Sequence, residues 1–93
     1  MSETDSVGPD APSIPVPDAE LKRWMVTYIS ELLSLDPGSI DTAEPFDVFG
    51  MDSIEAVVMA GVMEEEFGVI VEPSLLLQYP SIDLFVAAND AGV

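Results

Sequence analysis

Apolar positions recur with a helical period soon after residue 20. Leu21, Trp24, Met25, Tyr28, Ile29, Leu32 and Leu33 lie along one stripe of a 3.6-residue repeat, which predicts an amphipathic helix. Asp18 is placed to cap its start, and the run Asp36-Pro37-Gly38 is a stop signal. Residues 36–51 carry no period of their own. Ile40, Phe46 and Phe49 punctuate this long loop like anchors into a core. Loops of this length in small domains are often functional. A second helix is predicted from Ser53 to Phe67, ended by Gly68. The stretch Val69–Pro73 is apolar but short, and a strand there would have no partner. A brief helix follows Pro73. The last helix starts at Ser81, a plausible N-cap, and turns Ile82, Phe85 and Val86 inward. The expected fold class is all-α: a four-helix bundle of three main helices and a short third one, with a long loop between the first two.

Residues 1–17 hold four of the eight prolines and no helical period, so a disordered lead-in is expected. It is either a linker cut from a larger protein or the natural start of a small one. The starting Met and short tails favour the second. The folded domain is placed at residues 18–90, with 91–93 as a tail.

The second helix has two apolar faces. With successive residues ~100° apart, Ala56, Met59, Ala60, Met63 and Phe67 share a core-facing stripe. Ile54, Val57, Val58 and Gly61 sit opposite, near the helix start. One reading has the long loop fold back over this second group and another makes it an open patch for docking a partner; the two are compatible, with Ile54 partly covered while Val57 and Val58 stay open. Docking is the favoured reading.

Charge sharpens it. Among 93 residues, eighteen acids face two bases, Lys22 and Arg23, for a formal net charge of −16. Nucleic acid and anionic membranes are repelled, and basic protein surfaces are steered in. No apolar run reaches the ~18 residues of a membrane span. The given N-terminus lacks the basic region and apolar core of a secretory signal, and the chain has no cysteine for a disulfide framework. A cytoplasmic monomer is the expectation.

Asp52 and Glu55 have the spacing of a capping box, which places Ser53 at the first helical position. Ser53 is no nucleophile on its own account. Activation needs an adjacent base, yet histidine is absent. There is no G-x-S-x-G elbow, no Gly-rich phosphate loop and no calcium-loop pattern. Neither a catalytic residue nor a metal site is expected. A serine at a helix start does suit a phosphate ester, because free N–H groups and the positive end of the dipole stabilise an anion there.

The run from Phe49 to Val71 resembles the prosthetic-group motif and second helix of acyl carrier proteins. Phe49, Gly50, Asp52, Ser53 and Ile54 fill the motif; Glu64, Phe67 and Gly68 fill the helix ending. A later segment is similar too, with Pro80, Ser81, Ile82 and Phe85 matching and Leu77 a looser fit. The resemblance covers about residues 20–90. It implies that Ser53 receives 4′-phosphopantetheine from coenzyme A through a phosphopantetheinyl transferase, with Asp52 capping the helix beside it. It implies a non-catalytic carrier of acyl thioesters. Its further partners are an acyl-loading enzyme (an acyltransferase or acyl-AMP ligase) and a ketosynthase or condensation-type enzyme. Ile54, Val57, Val58 and Gly61 would form the apolar centre of the docking face, with Asp52, Glu55 and Glu65 as its rim. Met51 stands where peptidyl carriers usually show a second glycine, which favours an acyl carrier. Val58 replaces an acid usual in fatty-acid carriers, and the run Tyr79–Ile82 is closer to polyketide or lipopeptide carriers. A peptidyl or aminoacyl carrier is the alternative within the class. An acidic interaction module, of the kind that mimics nucleic acid to block a basic site, is the alternative outside it.

Overall fold

The computed structural model describes residues 11–89. In chain order these form α1 (Asp18–Leu33), two 3₁₀ turns (Pro37–Ser39 and Phe46–Phe49), α2 (Ser53–Phe67), α3 (Pro73–Gln78) and α4 (Ile82–Ala88). The fold class is the all-α one expected, although α4, at 7 residues, is closer in length to α3 than to the two long helices. The stretch 69–72 belongs to no helix, and the described residues contain no strand. The core is one cluster in which Leu21, Met25 and Ile29 of α1 meet Met59 and Met63 of α2, Leu75 and Leu76 of α3, and Ile82 and Phe85 of α4.

Asp18 does not cap α1. It lies inside the first turn, and the capping position falls to Pro17, which makes no side-chain cap bond. The Pro17 carbonyl accepts from the N–H groups of Glu20 and Leu21, both at 3.0 Å. Asp18 and Glu20 still favour this end, because their charge opposes the positive pole of the helix. At the other end α1 stops before the Asp36-Pro37-Gly38 run. Ser34 turns left-handed at φ 57°, and Leu35 N–H donates to the Ser30 carbonyl at 2.8 Å.

The segment just before α1 corrects the expected lead-in over residues 11–17. Pro12 and Ile14 are fully buried. Ile14 N–H donates to Asn89 Oδ1 at 2.8 Å, and Asn89 Nδ2 donates back to the Ile14 carbonyl at 3.0 Å. A carboxamide offers one acceptor and two donors, so one side chain satisfies both backbone groups of a residue that belongs to no helix. Residues 11–17 therefore strap across the ends of α1 and α4. Residues 1–10 and the tail at 91–93 lie outside the described part. Lys22 and Asp83, 3.3 Å apart, bridge α1 to α4 at the surface.

The long loop is bound to the α3–α4 connection and does not cover the outer face of α2. Phe46 N–H donates to the Pro80 carbonyl at 2.8 Å, and Asp83 N–H donates to the Thr42 carbonyl at 3.0 Å. Pro45 and Ser81 form an antiparallel bridge. Ile40 and Phe46 are buried as anchors, and Phe49 is half-buried against the same core. Ser81 caps α4: its Oγ accepts from Leu84 N–H at 3.1 Å.

Candidate functional site

The start of α2 is built by its own sequence. Gly50 ends the second 3₁₀ turn at φ 92°, a left-handed conformation that strains any residue with a Cβ. Met51 then drops into the core, and its N–H donates to the Phe46 carbonyl at 3.3 Å. Asp52 Oδ1 accepts from Glu55 N–H at 2.9 Å, while Asp52 N–H donates to Glu55 Oε1 at 3.4 Å. This is the reciprocal capping box that the spacing predicts.

Ser53 occupies the first helical position and is exposed. The capping box uses the N–H groups of Asp52 and Glu55, and Ala56 N–H donates to the Asp52 carbonyl at 3.0 Å. The N–H groups of Ser53 and Ile54 keep no partner among the described residues, and they lie at the positive end of a 15-residue helix. These groups fit a phosphate ester on Ser53: an accessible hydroxyl with two amide donors beside it.

A groove of about 360 Å³ opens next to Ser53. Phe46, Met51, Ala56 and Leu76 line its apolar part, Pro45, Leu77 and Pro80 complete its walls, and Asp47 and Asp52 add carboxylates. The sequence pattern does not reveal this groove. Its walls come from three separated segments, and the only advance signal is the pair of prolines, Pro45 and Pro80, that end up beside the loop bridge.

The outer face of α2 is open. Ile54 is 72% exposed, Val57 53% and Val58 51%. Gly61 and Glu65 are exposed on the same side. The structure thus differs from the expectation that Ile54 is partly covered: it is the most exposed of the three, because the loop is held away by its bonds to the α3–α4 connection. Asp52 is exposed and Glu55 half-buried. Glu55 also faces α1, where it and, more strongly, burial push the Tyr28 phenol above its ordinary value. Tyr28 stacks on Trp24 with ring centroids 5.2 Å apart.

The far end of α2 is equally specific. Glu64 Oε2 accepts from Val71 N–H at 3.0 Å. Phe67 meets Trp24 edge-on at 5.4 Å. Gly68 ends the helix left-handed at φ 69°. Among the described residues no group of three or more histidine, cysteine, aspartate or glutamate side chains is placed to hold a metal ion. No helix there is long and apolar enough to cross a membrane.

The family model described as "phosphopantetheine attachment site" matches residues 23–88. The chain belongs to that family. Its members attach 4′-phosphopantetheine, and the carrier domains among them are non-catalytic. The carrier is 34% identical over 66 residues to the polyketide synthase PksL of Bacillus subtilis, a match that takes in 71% of this chain and 2% of that protein. It thus spans a small fraction of the length of that relative. In fold it is similar to Asl1650, an acyl carrier protein from Anabaena with a variant phosphopantetheinylation-site sequence. That likeness has a TM-score of 0.72 at 27% identity and covers 86% of this chain and 92% of that one. A free-standing peptidyl carrier protein from an Acinetobacter baumannii secondary metabolic pathway is similar at TM-score 0.70 and 28% identity, over 75% of this chain and 88% of that one.

Proposed function

We propose that Ser53 bears the 4′-phosphopantetheine arm and that this carrier presents acyl groups, as thioesters on that arm, to enzymes of a polyketide or lipopeptide pathway. The observation that carries the reading is the exposed Ser53 hydroxyl in the first turn of α2, beside two unpaired N–H groups and a complete capping box. Attachment joins Ser53 Oγ to the phosphate of the arm and releases the nucleotide half of coenzyme A. The base for the serine proton comes from the transferase, since this chain has no histidine and its two bases lie on α1. The arm brings the thiol that a cysteine-free chain lacks. Every bond made or broken in the cargo then belongs to a partner's active site.

Docking falls to the outer face of α2. Ile54, Val57, Val58 and Gly61 form an apolar centre, and Asp52, Glu55 and Glu65 a carboxylate rim. The transferase, the acyl-loading enzyme and a ketosynthase or condensation-type enzyme meet it with basic patches, which the net charge of −16 draws in. The reading places the carrier in the cytoplasm as a monomer.

Intact mass after incubation with coenzyme A and a broad-specificity phosphopantetheinyl transferase tests this, run beside Ser53→Ala. One added phosphopantetheine, lost in the variant, is expected. An unchanged mass for well-folded wild type, with a transferase active on a control carrier, overturns the assignment and favours an acidic interaction module. A peptidyl or aminoacyl carrier is the second reading, favoured by the Acinetobacter fold neighbour. Loading by an amino-acid-activating ligase in place of an acyl-loading enzyme would select it.

A further inference from the structure

One thioether of the core faces the groove beside Ser53. The chain has five methionines and no cysteine, so thioethers are the sulfur it offers to a two-electron oxidant. Met25, Met59 and Met63 are sealed in the core at 0% exposure, and none of them lines the groove. Met51 keeps 3% exposure and forms part of the groove's apolar wall. A volume of about 360 Å³ holds several molecules the size of water, so a small hydroperoxide reaches this wall from solvent.

The lining decides what oxidation does there. A sulfoxide turns an apolar thioether into a polar group that accepts hydrogen bonds. Phe46, Ala56 and Leu76 beside it have no donor in their side chains. Asp47 and Asp52 bring carboxylates, which accept and do not donate. Among the lining side chains the one hydroxyl is that of Ser53, and the unpaired N–H groups of Ser53 and Ile54 lie at the same helix start. An oxygen on the Met51 sulfur therefore either stays among apolar walls without a donor or turns toward the groups that arm attachment uses.

The backbone transmits the change. Met51 N–H donates to the Phe46 carbonyl at 3.3 Å, and Gly50 N–H to the Asp47 carbonyl at 3.0 Å. Met51 thus joins the second 3₁₀ turn to the capping residue Asp52. A side chain expelled from the wall displaces the cap that sets Ser53 in the first turn.

We propose that Met51 is an oxidation site that controls arm attachment: a hydroperoxide in the groove converts its thioether to the sulfoxide, and Ser53 then takes the arm slowly. The sulfur lone pair attacks the terminal peroxide oxygen, the O–O bond breaks and an S–O bond forms. The proton of that oxygen passes to the leaving one, which departs as water or an alcohol. Sulfur is oxidised by two electrons and the hydroperoxide is reduced by two. A thiol-dependent methionine sulfoxide reductase reverses the step. Control of attachment rests on the carrier reading; the selection of Met51 among the core methionines does not.

The test treats the unmodified full chain with limiting hydrogen peroxide, quenches with catalase and maps oxidation by peptide mass spectrometry. Met51 is expected to oxidise at least tenfold faster than Met25, Met59 and Met63 in the folded chain, and at a similar rate to them in urea. The chain oxidised at Met51 is then given coenzyme A and the broad-specificity transferase. Its rate of arm attachment is expected to fall at least fivefold with helix content by circular dichroism unchanged, and to recover after treatment with the reductase. Met51→Leu, a swap that nearly conserves volume, is expected to take the arm equally fast before and after peroxide. Oxidation of Met51 no faster than that of the other three overturns the proposal. So does a rate within twofold of the untreated chain, a loss of helix content alongside the loss of rate, or equal slowing of Met51→Leu by peroxide. If untreated wild type takes no arm, the carrier reading fails and control of attachment falls with it. A missing peroxide response in a chain that does take the arm overturns this proposal alone.

Discussion

Asp52 and Glu55 exchange hydrogen bonds across the first turn of α2, at 2.9 and 3.4 Å. The pair sets where the helix begins and so fixes Ser53 in its first turn. Asp52→Ala removes the side-chain acceptor and is expected to cost about 1 kcal/mol, as for other lost N-caps. In a domain of this size that lowers the melting temperature by roughly 4–8 °C. A thermal melt followed by circular dichroism reads it. The same variant should be modified more slowly by the transferase, and an unchanged rate would mean that the cap serves the fold alone.

Val57 is half exposed in the middle of the open face of α2. Val57→Glu adds charge there without touching the core, so helix content by circular dichroism is expected to stay at the wild-type level. Acyl loading at subsaturating carrier should fall about tenfold, the equivalent of ~1.4 kcal/mol of docking free energy. Equal rates for the two proteins would remove the docking role from this face.

Tyr28 is held above its ordinary pKa by burial first and by the Glu55 carboxylate second. Both causes favour the neutral phenol of the folded state. Its contribution to stability is therefore present below the unfolded tyrosine pKa and is lost as pH rises through the folded value. Glu55→Gln should lower the phenolate midpoint, read by absorbance near 295 nm, while leaving it above that of a free tyrosine. A midpoint that does not move would show that burial acts alone.

Ile14 and Asn89 make the strap a part of the core. Ile14→Ala, a large-to-small change at a fully buried site, is expected to cost about 2–5 kcal/mol. Asn89→Ala strips partners from the Ile14 N–H and carbonyl and should cost ~1–3 kcal/mol. Urea titration of each variant measures these losses. Wild-type midpoints in both would return residues 11–17 to the status of a loose lead.

The sixteen uncompensated negative charges repel one another most when the chain is compact. Raising salt from low to physiological ionic strength shortens the Debye length to ~8 Å. The melting temperature at neutral pH should climb accordingly. A melting temperature indifferent to salt would show that the surface spacing already relieves the repulsion.

The helices were legible because their cause is local. The 3.6-residue stripe on α1, the Asp52–Glu55 box, the Gly68 stop and the Ser81 cap each act within a few positions. The same locality made the two faces of α2 readable, and the open one is the one expected. What sequence missed depends on contacts between distant segments. Ile14 looks like part of a proline-rich tail until Asn89, 75 positions away, takes up its backbone bonds. The groove beside Ser53 needs Pro45, Leu76 and Pro80 brought together. Asp18 failed as a cap for a subtler reason: Pro17 needs no N–H partner and offers its carbonyl one residue earlier.

The Ile14–Asn89 clasp bears on how the chain can be cut and rejoined. It brings the first and last described segments to one point, so the chain enters and leaves the body side by side. Joining residue 89 to residue 11 through a short linker would therefore leave the helices in register, and a permuted chain opened elsewhere at the surface should still fold around the same core.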